Sequence, residues 1–454
     1  MAVVAARKPK GVRLEQREEL MLSAIVMTGS CVVRRFGGDR AGEIAAHRFL
    51  DHPDTTPEGT IAAAAERTIA AARGHTVLLI QDTTEINFSG ADRSRSGLGP
   101  AGDGKALGFF IHPLLAVSLE EEAVLGIVHA EIWTREAARV ADRKKRPIEE
   151  KESLRWVNAT SAARALVGVS PQPISVSDRE GDIYQHFARR PEGVEMVVRA
   201  HHDRKLAGGG QLFSAAAGFA AGFVRDVHVP PRGIGDKGRK TKVRVRAGRI
   251  ELARPATADA DKDPAHLSLA FVEVAEIDPP KGVKPLLWRI VTTLAIDKPH
   301  EVDRIVRIYR LRWRIEQLFR TMKSAGLKLE DTQVEAAHRL FKLSALALVA
   351  AARTMMLVDA RDGSSRPATD VIAPQLIEAV ASIGATLEGK TPRQKNRHAK
   401  GSLAWLAWVV ARLGGWNCYY DKPGPKTMAA GWPRLAAMLY GWRVAQRAGV
   451  VGSG

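Results

Sequence analysis

Hydrophobic positions along this chain recur with two different periods, and the order of the two predicts a mixed α/β protein. Residues 76–81 (TVLLIQ) form a short continuous apolar run of the length expected for a buried strand. Residues 109–119 and 124–133 are two further apolar stretches parted by acidic residues, which is a hairpin pattern. Pro113 predicts that the first of these begins late or lies at a sheet edge, because proline cannot donate to a ladder. Short strands are expected at 174–177 and 194–200. From about 200 to 295 the β pattern continues between Gly/Pro turns, with strands at 224–229, 242–246, 267–275 and 286–293. Helical spacing governs 15–27, 42–50, the Ala-rich stretch 61–73, 148–166, 336–357 and most of the chain beyond a polar link at 361–367.

The longest helical pattern, 304–328 (RIVRIYRLRWRIEQLFRTMKSAGLK), meets no Gly or Pro before Gly326 and predicts one continuous helix. Ile308, Leu311, Ile315, Leu318 and Met322 form its apolar stripe. At ~100° per residue, Tyr309, Arg312, Glu316, Arg320 and Lys323 fall within roughly an 80° arc beside that stripe. Pairs such as Arg312–Glu316 also occur on solvated helices, where each contributes ~0.2–0.5 kcal/mol. The helix alone therefore does not decide its use.

Two other carboxylates bear on it. Asp82 stands just past the strand at 76–81, and Asp178 just past that at 174–177. Ligands of α/β sheets collect outside the carboxyl ends of strands. With Glu316 these make an oxygen-only set that suits Mg²⁺ or Mn²⁺ and does not suit zinc. Two such ions ~4 Å apart serve in-line phosphoryl transfer. Spacing leaves Asp178 and Asp182 as alternatives for the second ligand.

Composition points to the partner. The 454 residues leave room for two or three domains, and Lys+Arg exceeds Asp+Glu by 18, with a pI near 10.1. A polyanion is the expected partner, and nucleic acid is the commonest. Candidate contacts are Arg34, Arg35, Arg40, His47 and Arg48 in a small helical unit behind a basic arm (Arg7, Lys8, Lys10, Arg13). Arg204 and Lys205 follow the 194–200 strand, and Lys237, Arg239 and Lys240 sit among glycines in a loop that reads as a phosphate clamp. Trp288 suits core packing or base stacking. Five of nine tryptophans fall after residue 400, which fits an interface or a compact core. Two distant cysteines and no basic–apolar–small leader make the reducing cytosol the expected compartment, with no membrane association.

Tyr309, Arg312, Glu316 and Lys323, at intervals of three, four and seven, match the signature of bacterial DDE cut-and-paste transposases of the insertion-sequence-four family. Residues 80–84 (IQDTT) and 176–183 (VSDREGDI) resemble that family's first and second Asp motifs. EKES at 150–153 with Trp156, PPKG at 279–282 before Trp288, RFLDHP at 48–53 and ARLGG at 411–415 also look like family landmarks. Arg320 stands where a relative has Lys, and Pro113 falls inside a family strand.

The resemblance implies an α/β architecture with an RNase H-like catalytic core at 61–360, interrupted by a β-rich insertion at about 200–295. A helical module at 1–60 would bind terminal repeats, and a helical domain at 368–454 would dimerise. Asp82, Asp178 and Glu316 would be the catalytic metal ligands for two Mg²⁺ ions, with Mn²⁺ as a substitute. Tyr309, Arg312, Arg320 and Lys323 would contact DNA, and Trp288 would stack a flipped base while a hairpin forms on the transposon end. The implied partners are double-stranded transposon ends and target DNA, held by a synaptic homodimer in the bacterial cytoplasm, at the nucleoid. The alternatives are a catalytically silent DNA-binding relative that inhibits transposition and an RNase H-like nuclease that does not join.

Overall fold

The computed structural model describes residues 11–88, 95–102, 106–136, 146–229, 238–323, 326–364, 366–419 and 422–447. Helices α1 (Val12–Thr28), α2 (Val33–Gly37), α3 (Arg40–Asp51) and α4 (Pro57–Ala71) lead into strands β1 (Thr76–Gln81), β2 (Thr84–Phe88), β3 (Gly99–Ala101), β4 (Ala106–Ser118) and β5 (Val124–Trp133). Then come α5 (Leu154–Ala162), β6 (Gln172–Ser177), α6 (Tyr184–Ala188), β7 (Glu195–Arg199) and α7 (Leu212–Ala217). Strands β8 (Ala221–Val229), β9 (Arg239–Ala253), β10 (His266–Glu276) and β11 (Leu287–Thr292) follow. Helices α8 (Pro299–Leu311), α9 (Trp313–Met322), α10 (Ala337–Ala360), α11 (Ile377–Leu387), α12 (Leu403–Leu413) and α13 (Pro425–Arg447) complete the chain.

Among the described residues all the strands join one mixed sheet, in the order β2-β4-β1-β6-β7-β11-β10-β9-β8, with β3 and β5 also on β4. β1, β6 and β7 are parallel neighbours, and β7 passes to the antiparallel remainder through β11. This large mixed sheet flanked by helices is consistent with an RNase H-like domain. The strand patterns read from the sequence at 76–81 and 124–133 coincide with β1 and β5.

Pro113 departs from expectation. β4 begins at Ala106 and runs through Pro113 in the interior of the sheet. One edge of β4 pairs with β2 over Leu107–Ile111 and then with β1 over Leu114–Ser118. Proline thus falls at the changeover, opposite Asp82–Thr83, where no ladder bond has to be donated.

The long helix is also not one piece. At Arg312 the amide bonds to the Tyr309 carbonyl three residues back, and Ile315 does the same to Arg312, so the turn between α8 and α9 is tightened. Helical backbone at Arg312 (φ −52°, ψ −30°) keeps the direction. The helix stops at Met322, short of residue 328. A Cβ on Gly326 would lie 2.1 Å from the Thr321 carbonyl, whose oxygen instead accepts the Leu327 N–H. Ile308, Leu311, Ile315, Leu318 and Met322 are all buried, as their spacing predicts.

Helix α10 is the one described helix long and apolar enough to cross a membrane, and 78% of its apolar window is buried inside the protein. It forms the centre of a core that also takes residues from α1 to α4, β1, β4, α8, α9, α12 and α13. Trp405, Trp408 and Trp432 are buried in that core, so much of the C-terminal aromatic content serves packing.

Candidate active site

Register brings the first two carboxylates together. In the parallel β1–β6 pair Gln81 lies opposite Ser177, and the next residue on each strand is Asp82 and Asp178. Neighbouring strands run ~4.8 Å apart, so the two aspartates leave the sheet side by side. Asp82 Oδ1 accepts the Thr83 N–H at 2.8 Å. Asp178 Oδ1 accepts the Glu180 N–H at 2.8 Å and caps the single turn Arg179–Gly181.

The third carboxylate arrives with the tightened turn. Arg312 turns its guanidinium inward, only 10% exposed, with Nη2 2.6 Å from Glu316 Oε1 and Nη1 3.5 Å from Asp82 Oδ2. A single cation thereby spans the carboxylates of β1 and α9. Burial, and then the negative Asp178, push the Asp82 carboxyl up to about 7 despite the Thr83 N–H and Arg312. The site is short of positive charge even with Arg312 in it.

Asp182 is committed elsewhere. Its Oδ2 accepts the backbone N–H groups of His201 and His202 at 2.7 and 2.9 Å, and Arg204 forks onto its Oδ1 at 2.9 and 2.8 Å. Of the two alternatives, Asp178 is the one left open to the site.

Residues 137–352 match the family model described as the transposase DDE domain, a span that takes in Asp178, Trp288 and Glu316 and begins after Asp82. That stretch of the chain is similar to a transposase DDE domain.

Asp82, Asp178 and Glu316 offer only oxygen donors, a set that suits a hard divalent cation. Polar atoms without a partner also gather here: Ser177 Oγ, the Tyr309 hydroxyl and Arg312 Nε are buried and unbonded. Among the described residues, however, no three His, Cys, Asp or Glu side chains stand close enough to hold an ion as they are. The cation that stands between Asp82 and Glu316 is the Arg312 guanidinium.

The other sequence candidates are distributed unevenly. Tyr309 is buried with its ring edge-on to half-buried Trp288, centroids 5.4 Å apart, and burial raises its hydroxyl. Arg320 is exposed and Lys323 half-buried, its Nζ 4.0 Å from Glu330. Arg34, Arg35 and Arg48 are exposed on α2 and α3, while Arg40 pairs with Glu43 at 2.9 Å. Lys205 and Lys240 are exposed. Arg204 and Arg239, expected as free phosphate contacts, are held by carboxylates, Arg204 by Asp182 and Arg239 by both oxygens of Glu276 at 3.1 and 2.7 Å. Lys237 and the arm residues Arg7, Lys8 and Lys10 lie outside the described residues.

Sequence reasoning missed the polar layer beneath the strand ends: Gln81, His112, Thr160, Ser175 and His186, all buried, with Arg155 beside them. A signal was present. Gln81 ends the apolar run of β1, and His112 and Ser175 each stand between apolar neighbours in β4 and β6. Such residues are buried only with partners.

Proposed function

We propose that this protein is a cut-and-paste DNA transposase similar to the insertion-sequence-four family, with Asp82, Asp178 and Glu316 as its catalytic carboxylates. The observation that carries this reading is the shared guanidinium of Arg312, 2.6 Å from Glu316 and 3.5 Å from Asp82, in a site whose Asp82 adjoins Asp178 by strand register. Two divalent ions bound there, Mg²⁺ or in its place Mn²⁺, would supply the charge that activates an attacking hydroxyl and stabilises the leaving oxygen.

The residues of the chain provide the rest. Arg312, released from the carboxylates, is placed to take a DNA phosphate, and Arg320 and Lys323 continue that positive edge along the helix. The Tyr309 hydroxyl, unbonded and beside Arg312, is a ready donor to the same backbone. Trp288 reaches a flipped base only by parting from Tyr309, which makes hairpin formation on the transposon end the step most dependent on it. Arg34, Arg35 and Arg48 offer phosphate contacts for end recognition, and exposed Met438, Tyr440 and Val444 on α13 offer apolar surface for a synaptic dimer.

The test uses the full-length protein, Mg²⁺ and duplexes ending in the inverted repeats that flank its gene. Joined products support a transposase, cut ends alone a nuclease, and a mobility shift without cleavage a silent binder. Glu316→Ala is expected to abolish cleavage and leave the shift intact. A lost shift would remove Glu316 from the catalytic set.

A further inference from the structure

The buried polar layer beneath the strand ends forms a chain of hydrogen bonds whose direction is fixed from both ends. Arg155 has only donors, so its Nε–H donates to Thr83 Oγ1 at 2.8 Å. The Thr83 hydroxyl then donates to His112 Nδ1 at 3.0 Å. Burial holds His112 well below its ordinary value, so the ring is neutral and its one N–H, on Nε2, donates to Gln81 Oε1 at 3.1 Å. The Gln81 amide donates to Thr160 Oγ1 at 2.7 Å and Ser175 Oγ at 2.9 Å. At the far end the Gly181 carbonyl only accepts, so His186 Nδ1 is its donor at 2.8 Å. His186 is likewise neutral, and its Nε2 accepts the Thr160 hydroxyl at 2.6 Å. Arg155 Nη2 also reaches Glu180 at 3.1 Å, and the backbone from Glu180 to Gly181 completes the ring.

The ring runs through the residues that bracket the two aspartates. Gln81 and Thr83 flank Asp82, and Glu180 and Gly181 belong to the turn that Asp178 caps. Trp156 lies edge-on to His112 with centroids 4.6 Å apart, and a Cβ on Gly181 would stand 3.1 Å from its indole. Reversing a histidine or the Gln81 amide leaves a donor facing a donor elsewhere. The Thr160 and Ser175 hydroxyls, 3.1 Å apart, can exchange roles because Gln81 Nε2 also reaches His186 Nε2 at 3.2 Å.

We propose that this ring is a positioning device that sets the separation of Asp82 and Asp178, with Thr83, His112 and Gln81 as positioning residues. The proposal rests on the reading of those aspartates as metal ligands. Partners of ligating side chains commonly change metal affinity 10–100-fold when removed.

Thr83→Val deletes the hydroxyl at nearly constant shape, and Thr83→Ser keeps it. The readouts are Mn²⁺ binding to the full chain, followed by the electron paramagnetic resonance of free Mn²⁺, and the thermal midpoint. Thr83→Val is expected to weaken Mn²⁺ binding about tenfold with little change in midpoint, and Thr83→Ser to restore it to within about twofold. Wild-type affinity in Thr83→Val, or equal weakness in both variants, overturns the positioning role. If Thr83→Val does not fold, His112→Asn replaces it, since it keeps an acceptor near Nδ1 and withdraws the donor to Gln81. The same outcomes then apply. Asp82→Ala is the control for the underlying reading: Mn²⁺ binding that survives it removes the metal assignment itself, whatever the Thr83 variants do.

Discussion

Arg312 holds the residue-scale balance of the site. It is the positive group between Asp82 and Glu316, and its removal leaves them uncompensated near Asp178. Arg312→Ala is expected to lower metal-free stability by about 2 kcal/mol, below the ~3–5 kcal/mol for one partner of a fully buried pair, because Glu316 keeps 33% of its side-chain surface in water. Millimolar Mn²⁺ should then raise the melting temperature of the variant more than that of the wild type. An equal rise would mean that Arg312 does not stand where a cation binds. Asp82 adds a pH dependence. Its carboxyl titrates at about 7 in the folded protein and near ~3.9 when unfolded. Between those values the native state holds a proton that the unfolded chain has released, so its contribution is present at low pH and lost as pH rises through about 7. In chelator, Asp82→Asn should therefore gain on the wild type between pH 5 and pH 8 in thermal melts, and a constant difference would contradict the shift. Little of this balance was legible in the sequence. A four-residue spacing proposes that Arg312 and Glu316 meet, but nothing local says that the same guanidinium reaches back to β1 or that Arg204 is consumed by Asp182. Those contacts join residues far apart in sequence.

At the scale of elements, β1 and β2 lie end to end along one edge of β4, and Asp82 and Thr83 occupy the gap between them. The ladder is broken where a side chain is needed, and Pro113 on the facing strand removes the amide that the gap would otherwise orphan. Pro113→Ala should thus lower stability by about 1–3 kcal/mol in urea unfolding, since it restores a buried N–H that has no ladder partner. A loss above the ~3 kcal/mol typical of a misplaced proline's own cost would mean that the ring is packed for shape and not tolerated for its missing N–H. The strands themselves were legible. β1 is an unbroken apolar run, and β4 and β5 are long apolar stretches parted by Glu120, Glu121 and Glu122. Pro113 misled because proline argues against a ladder position only where a donor is required, and the sequence does not show where the partner strand changes. The break at Arg312 left no trace either, since no Gly or Pro marks it and its backbone stays helical.

For the whole molecule, the decisive fact is that the N-terminal helices do not pack alone. Met21, Leu22, Ile25, Val26 and Met27 of α1 belong to the same buried cluster as α10, α12 and α13. Glu19 binds the nearly buried Arg353 of α10 at 2.6 and 2.8 Å and also faces Arg67 of α4 at 3.3 Å. The Ala373 amide donates to Ser23, and the Cys31 amide to the Leu327 carbonyl just beyond α9. Five large side chains at ~1.5–3 kcal/mol each amount to about as much as the ~5–15 kcal/mol that holds a typical domain together. Residues 1–60 are therefore expected to unfold with the rest in one transition, and the fragment 61–454 to expose the apolar face of α10 and fail to fold as a monomer. Chemical unfolding followed in parallel by tryptophan fluorescence and far-UV circular dichroism tests this, because all nine tryptophans lie beyond residue 60. Coincident curves for the full chain and an aggregating fragment are the expected pair. A separate early helical transition, or a soluble fragment with unchanged fluorescence unfolding, would show that the shared core contributes little. Coupling of this kind matters for the proposed reaction, since a helix that grips a DNA end at α2 and α3 is then joined through α10 to the helix that carries Glu316.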